Sequence, residues 1–372
     1  MAAAQLTRAG ERGMQVATFE EAMTLLQRAQ AMLIGPEHTE QRLGIEYLLA
    51  NLESIRGHYG KATEILTAAV SEARTTPNLH LQANLLGQLG RVAMWQGDVP
   101  TSMKYIGEAL ELSRKAGDRA ALIFNLRQMG NAITQTDPVG AMVYHEESVQ
   151  LARQAGDRNH EAYGLNSLAI AIQLSGDPKK AMATFQEALE LNRARNDRLN
   201  ESMVLGNMAG IYSADGDLVT AERIARESMT IANEIGAISL LPMAQGLLAE
   251  VNLRRGNHSE ARVWIRATGE TCRSIGIPQT VLPLLYGILE VSEGDRAKGL
   301  AWVGFARVHD PNTREVAGII RSFEKLLRGD RSEDETEAAM RAGESLKLEE
   351  ILAEAEGEGG RDQGSSRTPE GV

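Results

Sequence analysis

Leu168-Ala169-Ile170-Ala171-Ile172-Gln173-Leu174-Ser175-Gly176-Asp177-Pro178-Lys179-Lys180-Ala181-Met182-Ala183-Thr184-Phe185-Gln186-Glu187-Ala188-Leu189 holds two halves of one structural unit and the break between them. Leu165, Leu168, Ala169 and Ile172 recur at helical spacing and predict an amphipathic helix over about 162–174. Ser175-Gly176-Asp177-Pro178 ends it. Glycine accepts the left-handed conformation past a helix end, aspartate receives amide hydrogen bonds at the next start, and proline fits the first turn. Ala181, Phe185, Ala188 and Leu189 form the stripe of a second helix. Asn196-Asp197-Arg198 then closes the unit, where neighbouring units carry Gly117-Asp118-Arg119 and Gly156-Asp157-Arg158.

The same arrangement returns along the chain. Ala22, Ala62, Ser102, Ala141, Ala181, Ala221, Ala261 and Gly299 are separated by 40, 40, 39, 40, 40, 40 and 38 residues. Gly97-Asp98, Gly176-Asp177, Gly216-Asp217, Gly256-Asn257 and Gly294-Asp295 lie just upstream of five of them, and Thr136-Asp137 substitutes once. Twelve residues before most of these positions stands Gly10, Ala50, Gly90, Ala169, Ala209, Ala249 or Gly287. Seven after stand Ala29, Ala69, Ala109, Ser148, Ala188, Ser228 and Thr268, and four after the residue is usually large: Leu26, Leu66, Ile106, Phe185, Ile265. Small residues on both helices let a pair cross closely, while the large one fills the gap to the next unit. Such periodicity predicts a solenoid of stacked helix pairs, none able to bury its apolar face alone.

Leu168-Ala169, Gly176-Asp177, Ala181, Phe185 and Ala188 resemble the small-and-large pattern of tetratricopeptide repeats, in the variety with a period near 40. The resemblance spans residues 4–328 and implies an all-α, right-handed superhelical solenoid of about eight antiparallel helix pairs. A narrower likeness lies beyond, where Ala338-Ala339-Met340-Arg341-Ala342-Gly343-Glu344-Ser345-Leu346-Lys347-Leu348-Glu349-Glu350-Ile351-Leu352-Ala353-Glu354-Ala355 resembles the segment closing such arrays in bacterial LuxR-type and other ATPase-containing transcriptional regulators. That implies an acidic capping region over 329–355, with one helix near 337–355 and a disordered tail over 356–372. It also implies a sensor or partner-binding part standing alone or detached. No Gly-x-x-x-x-Gly-Lys-Ser/Thr loop occurs; Gly57-His58-Tyr59-Gly60-Lys61-Ala62 lacks both the spacing and the metal-binding hydroxyl.

Charge narrows the partners. The chain of 372 residues has a formal net charge of −11, and residues 331–372, with 12 acidic and 5 basic side chains, carry −7 of it. The remaining −4 is spread over the whole array, which offers no broad basic face to a phosphate backbone. With one cysteine, Cys272, no signal peptide and no long apolar run, a cytoplasmic location is expected, without nucleic-acid or membrane binding.

Catalytic and metal motifs are missing. The seven histidines form no His-Glu-x-x-His pair; His145 occupies the large-residue column, and Asp215-Gly216-Asp217 coincides with a turn between helices. No Gly-x-Ser-x-Gly elbow occurs. A non-enzyme without metal or cofactor is expected.

The first helix of each unit lines the concave side of such a stack. Registering the central units places Asn84, Arg91 and Trp95 there, then Phe124, Arg127 and Asn131, then Tyr163, Asn166 and Gln173. Amides can bond a peptide backbone, guanidinium groups can grip a carboxylate, and aromatic faces can hold apolar side chains. The same residues also suit an ordinary solvated helix face, with Phe124 or Tyr163 as core between units. The expectation is a scaffold for a protein or peptide segment in bacterial regulation, the alternative being an effector-sensing module of a transcriptional regulator. The pattern specifies no oligomeric state.

Overall fold

The computed structural model describes residues 2–15, 19–277, 279–310 and 313–357. These residues are helical without strands, and sixteen helices form eight consecutive pairs: α1 (Ala2–Gln15) with α2 (Phe19–Ala31), α3 (Thr39–Ile55) with α4 (Tyr59–Ala73), α5 (Leu79–Trp95) with α6 (Val99–Ala116), α7 (Arg119–Ile133) with α8 (Pro138–Ala155), α9 (Arg158–Ser175) with α10 (Pro178–Ala194), α11 (Arg198–Ala214) with α12 (Leu218–Glu234), α13 (Leu241–Arg254) with α14 (His258–Ile275), and α15 (Leu282–Glu293) with α16 (Arg296–His309). Four shorter helices follow: α17 (Thr313–Ser322), α18 (Glu324–Arg328), α19 (Glu333–Arg341) and α20 (Leu348–Gly357).

The turns form where the punctuation predicts them. Gly176 takes φ 102°, and Asp177 Oδ1 accepts from the Lys180 amide at 3.0 Å, so one helix stops and the next starts within two residues. Between α10 and α11 the left-handed position falls to Asn196, at φ 55°, the non-glycine residue the backbone tolerates best there. The arginine after each such turn has its own task. Arg158 and Arg153 both donate to Glu161, at 2.9 and 2.8 Å, and one repeat later Arg198 and Arg193 both donate to Glu201 at 2.9 Å. Each buried glutamate thus ties the end of one helix pair to the start of the next.

Pairs cross where small residues allow it. Ala22, Ala62, Ser102, Ala141, Ala181, Ala221 and Ala261 are all fully buried. A Cβ added to Gly90 would lie 2.7 Å from Ile106 and 3.1 Å from the Ser102 carbonyl oxygen, so α5 and α6 touch through backbone. Leu26, Leu66, Ile106, Phe185 and Ile265 fill the adjoining gaps with no exposure. Burying each such side chain stabilises its pair by about 1.5–3 kcal/mol.

Packing divides the chain into two compact units, one comprising Met1–Asn207 with Ile231–Leu240 and Ile275–Ile277, the other Met208–Thr230, Leu241–Ser274 and Pro278–Val372. In the first, Ser239 Oγ donates to the Ile55 carbonyl at 2.8 Å, and Ile275 packs on Gly57. In the second, α15 is buried from Leu282 to Val291 and contacts α20.

The closing segment differs from the single helix expected near 337–355. It forms α19 and α20, separated by six non-helical residues at 342–347. The reason is close approach to α16: a Cβ on Gly343 would sit 1.7 Å from the Ala301 carbonyl oxygen, and one on Gly304 would sit 1.9 Å from that of Met340. Arg307 secures the junction by donating to Glu337 at 2.8 Å and Glu344 at 3.2 Å. Glu356 and Gly357, expected in the tail, end α20; the rest of that tail, 358–372, lies outside the described residues.

Candidate functional site

Three capped helices set the register of the central repeats. Asn78 accepts from the Leu81 amide at 3.0 Å, Asp118 from Ala121 at 3.1 Å and Asp157 from His160 at 3.1 Å, fixing the starts of α5, α7 and α9. Residues one repeat apart therefore fall into columns, such as Asn51, Arg91 and Asn131, or Asn84 and Phe124. A Cβ at Gly87 would come within 3.1 Å of the Phe124 ring and 1.9 Å of Asn125 Oδ1, so this glycine admits α7 side chains against α5.

Cations and aromatic rings alternate on this face. Arg91 Cζ lies 4.7 Å from the Trp95 ring centre and 5.7 Å from that of Phe124; Arg127 Cζ lies 5.6 Å from Phe124 and 5.3 Å from Tyr163. Tyr59 tilts against Trp95 with ring centres 5.7 Å apart. The ladder Trp95, Arg91, Phe124, Arg127, Tyr163 thus spans three repeats, and each cation–ring contact contributes about 0.5–2 kcal/mol.

The guanidinium groups are short of counter-charge. Arg127 is 8% exposed, yet among the described residues no carboxylate acts on it or on Arg91. Burial, reinforced by the positive charge of Arg91, pushes the Arg127 group down to about 10. Burial lowers Arg91 as well, with Tyr47, Tyr163 and Tyr59 opposing. Arg91 donates to the Asn51 side chain, but the Nε of both arginines has no partner. Burial raises the Tyr163 phenol, and the Asp197 carboxylate adds to it, so Tyr163 stays a neutral hydroxyl. Two cations held in a dry, aromatic setting can grip an anionic group strongly, because the local dielectric is low.

Of the residues singled out in the sequence, Arg91, Trp95, Phe124, Arg127 and Tyr163 come together in the ladder. Phe124, 6% exposed, is core between repeats, the ordinary reading its position also allowed. Asn84 shares a 3.1 Å contact with His80, and Asn131 donates to Gln128 Oε1 at 3.3 Å. Asn166 accepts from Asn207 at 3.0 Å. Gln173 stands ten residues beyond Tyr163 on α9, about 15 Å along the axis, away from the ladder. Sequence reasoning passed over Tyr47, Asn51 and the fully buried Gln88 and Gln128. Asn51 was within reach, standing 40 residues before Arg91 in the same column.

The other candidates resolve into structure. His145 is fully buried against Gly130, and burial, with Arg127 nearby, pushes its imidazole down to about 3. Asp217 caps α12 by accepting from the Thr220 amide at 3.1 Å. A cavity of about 220 Å³ among α2, α3 and α4 contains Glu53, whose carboxylate is matched by Lys61 and His58. No described helix is long and apolar enough to cross a membrane, and no described group of three His, Cys, Asp or Glu side chains could hold a metal ion.

No family model and no curated protein sequence matches the chain. Solved structures do. A Rap protein in complex with competence and sporulation factor is 12% identical, with TM-score 0.62 and coverage of 91% of this chain and 99% of that one. NprR in complex with its cognate peptide NprX is 13% identical, with TM-score 0.55 and coverage of 87% and 97%. A STAND signal-transduction ATPase with a tetratricopeptide repeat sensor, from Pyrococcus horikoshii, is 14% identical, with TM-score 0.50; the match covers 87% of this chain but 49% of that one. Identities this low establish the fold alone. Together with the 40-residue step and the buried small-residue positions, they show a chain folded as an all-α array of tetratricopeptide type.

Proposed function

We propose that this protein is a binding module without chemistry of its own, taking an extended peptide or protein segment across the face formed by α3, α5, α7 and α9. The ladder from Trp95 to Tyr163 carries this reading. It combines aromatic surface with guanidinium groups that no described carboxylate neutralises. Asn84, Asn131 and Asn166 flank it as amides able to bond a ligand backbone once their internal partners are exchanged, and Gln173 stands farther along α9. The NprR structure, solved with its cognate peptide NprX, supports the same use of a similar fold, and so does the Rap structure, solved with competence and sporulation factor.

We place this activity in bacterial cytoplasmic regulation, with residues 4–328 as the recognition array and the closing helices as its cap. The STAND neighbour, in which such repeats serve as a sensor, supports a second reading: an effector-sensing part of a larger regulatory assembly. Capture from host extract separates binding from mere resemblance. Arg91→Glu and Arg127→Glu should abolish partner retention while circular dichroism stays unchanged, and Arg74→Glu, on an exposed ion pair with Glu108, should retain it. Partners indifferent to both ladder variants would refute the reading.

A further inference from the structure

The cavity of about 220 Å³ among α2, α3 and α4 is lined partly by apolar and partly by polar groups. Met23, Leu49 and Ile65, one from each helix, supply the apolar part, and Gln27, Gln30 and Glu46 most of the polar part. Each helix contributes residues three or four apart, so one stripe of each faces the space. The two carboxylates there are not equivalent. Glu53, 2% exposed, is met by Lys61 at 2.5 Å and His58 at 2.7 Å. Among the described residues Glu46 is bonded by an uncharged group alone, Gln30 Nε2 at 3.2 Å. Arg42, the cation that acts on it, is itself bonded to Glu72 and Thr39, and Glu72 adds a second negative charge nearby. Burial raises the Glu46 carboxyl, with Gln30 and Arg42 opposing. An ionised carboxylate has about four lone-pair sites, so one amide leaves most of its accepting capacity unused. Gln30, donating through Nε2, keeps its Oε1 as a further acceptor.

From this geometry we infer that the cavity is a site for a small primary alkylammonium ion, whose nitrogen donates to Glu46 and to the carboxamide oxygens of Gln30 and Gln27 while its methylenes lie on Met23, Leu49 and Ile65. An ammonium has three donors and no acceptor, which matches a polar lining that offers acceptors. An anion would meet the charges of Glu46 and Glu72, and Lys61 is already engaged by Glu53. Volume sets the length: an apolar cavity of about 150 Å³ takes a six-carbon ring, so this one admits a chain of about five or six carbons with its ammonium. The ammonium could belong to a free amine or to a lysine side chain of another protein, and both present the same group. The inference goes beyond the peptide-binding reading and uses none of the ladder residues.

Calorimetric titration of the full chain with n-pentylammonium, 1-pentanol and pentanoate tests this. Pentylammonium should bind roughly tenfold or more tightly than 1-pentanol, the contribution of a charge-assisted hydrogen bond, and pentanoate should bind most weakly. Glu46→Gln should remove the preference for the ammonium over the alcohol, and Glu64→Gln, at an exposed acid of α4 outside the cavity, should keep it. Along methyl-, propyl-, pentyl- and octylammonium, affinity should rise to the length the cavity holds and then fall. If circular dichroism shows that Glu46→Gln does not fold, the comparison of the three pentyl compounds on the wild-type chain and the length series decide. Nα-acetyl-lysine methylamide distinguishes the sources: binding as tight as that of pentylammonium supports a lysine side chain as the occupant, and binding roughly tenfold weaker supports a free amine. Equal affinity for the three pentyl compounds, an ammonium preference that survives Glu46→Gln, or no binding of pentylammonium would overturn the inference. Tetramethylammonium binding as tightly as pentylammonium would do the same, since it has no hydrogen to donate. None of these results touches the ladder, so the peptide-binding reading stands or falls separately.

Discussion

Two sets of arginines in the same repeats have opposite surroundings. Arg153, Arg158, Arg193 and Arg198 sit at the turns, where each pair converges on one buried glutamate. Arg91 and Arg127 sit mid-helix among rings, with no described carboxylate acting on either. The first set ties successive repeats and serves stability. The second carries charge that no described carboxylate meets, and we propose that it serves binding on the face of the first helices. Residue type alone does not distinguish the two sets; the presence or absence of a described counter-ion does.

Breaking the turn set should have the largest effect. Glu161→Ala removes a carboxylate that is 3% exposed and leaves Arg153 and Arg158 without their shared partner. Because the arginines left behind are 48% and 63% exposed and rehydrate, a loss of about 2 kcal/mol is expected, read as a lower denaturation midpoint at unchanged slope. Acid should act on the same turn more gradually. Asp157, the cap beside it, is held at about 2 against an ordinary 3.8, chiefly by its hydrogen bond with His160. Glu161 is also lowered: burial raises it, but the hydrogen bonds from Arg153 and Arg158 outweigh that. Because both carboxyls bind protons more readily in the unfolded chain, stability is present above pH 4 and is lost as pH falls toward 2. Thermal melts over that range should show the decline, and His160→Gln should reduce its slope.

The fold was legible because its determinants are local and repeated. Gly176-Asp177, the small residue at Ala181 and the large one at Phe185 specify break, crossing and filling in one stretch, and the 40-residue step multiplies the signal. The two-helix ending was not legible, since the break at Gly343 depends on its approach to the Ala301 backbone, a contact between distant segments with no periodic mark. The sequence placed the ladder residues on the first helices of successive units, which is where they stand. It could not show that Arg127 is buried or that both guanidinium groups lack carboxylates among the described residues, because the absence of a partner is a property of three-dimensional neighbours. Asn84 and Asn166 suited a groove by register, yet side chains one turn or one repeat away engage them.

The smallest expected effect is the most direct test. Thermal unfolding of Arg127→Met against the wild-type chain, without ligand, asks whether that charge is kept for the fold or for something the fold receives. A ligand-binding role predicts a variant more stable by about 1 kcal/mol, its midpoint raised by one or two degrees, since a buried cation short of counter-charge gives way to an apolar side chain of similar length. A midpoint lowered by several degrees would show that Arg127 holds the repeats together, and would contradict the contrast on which the binding face rests.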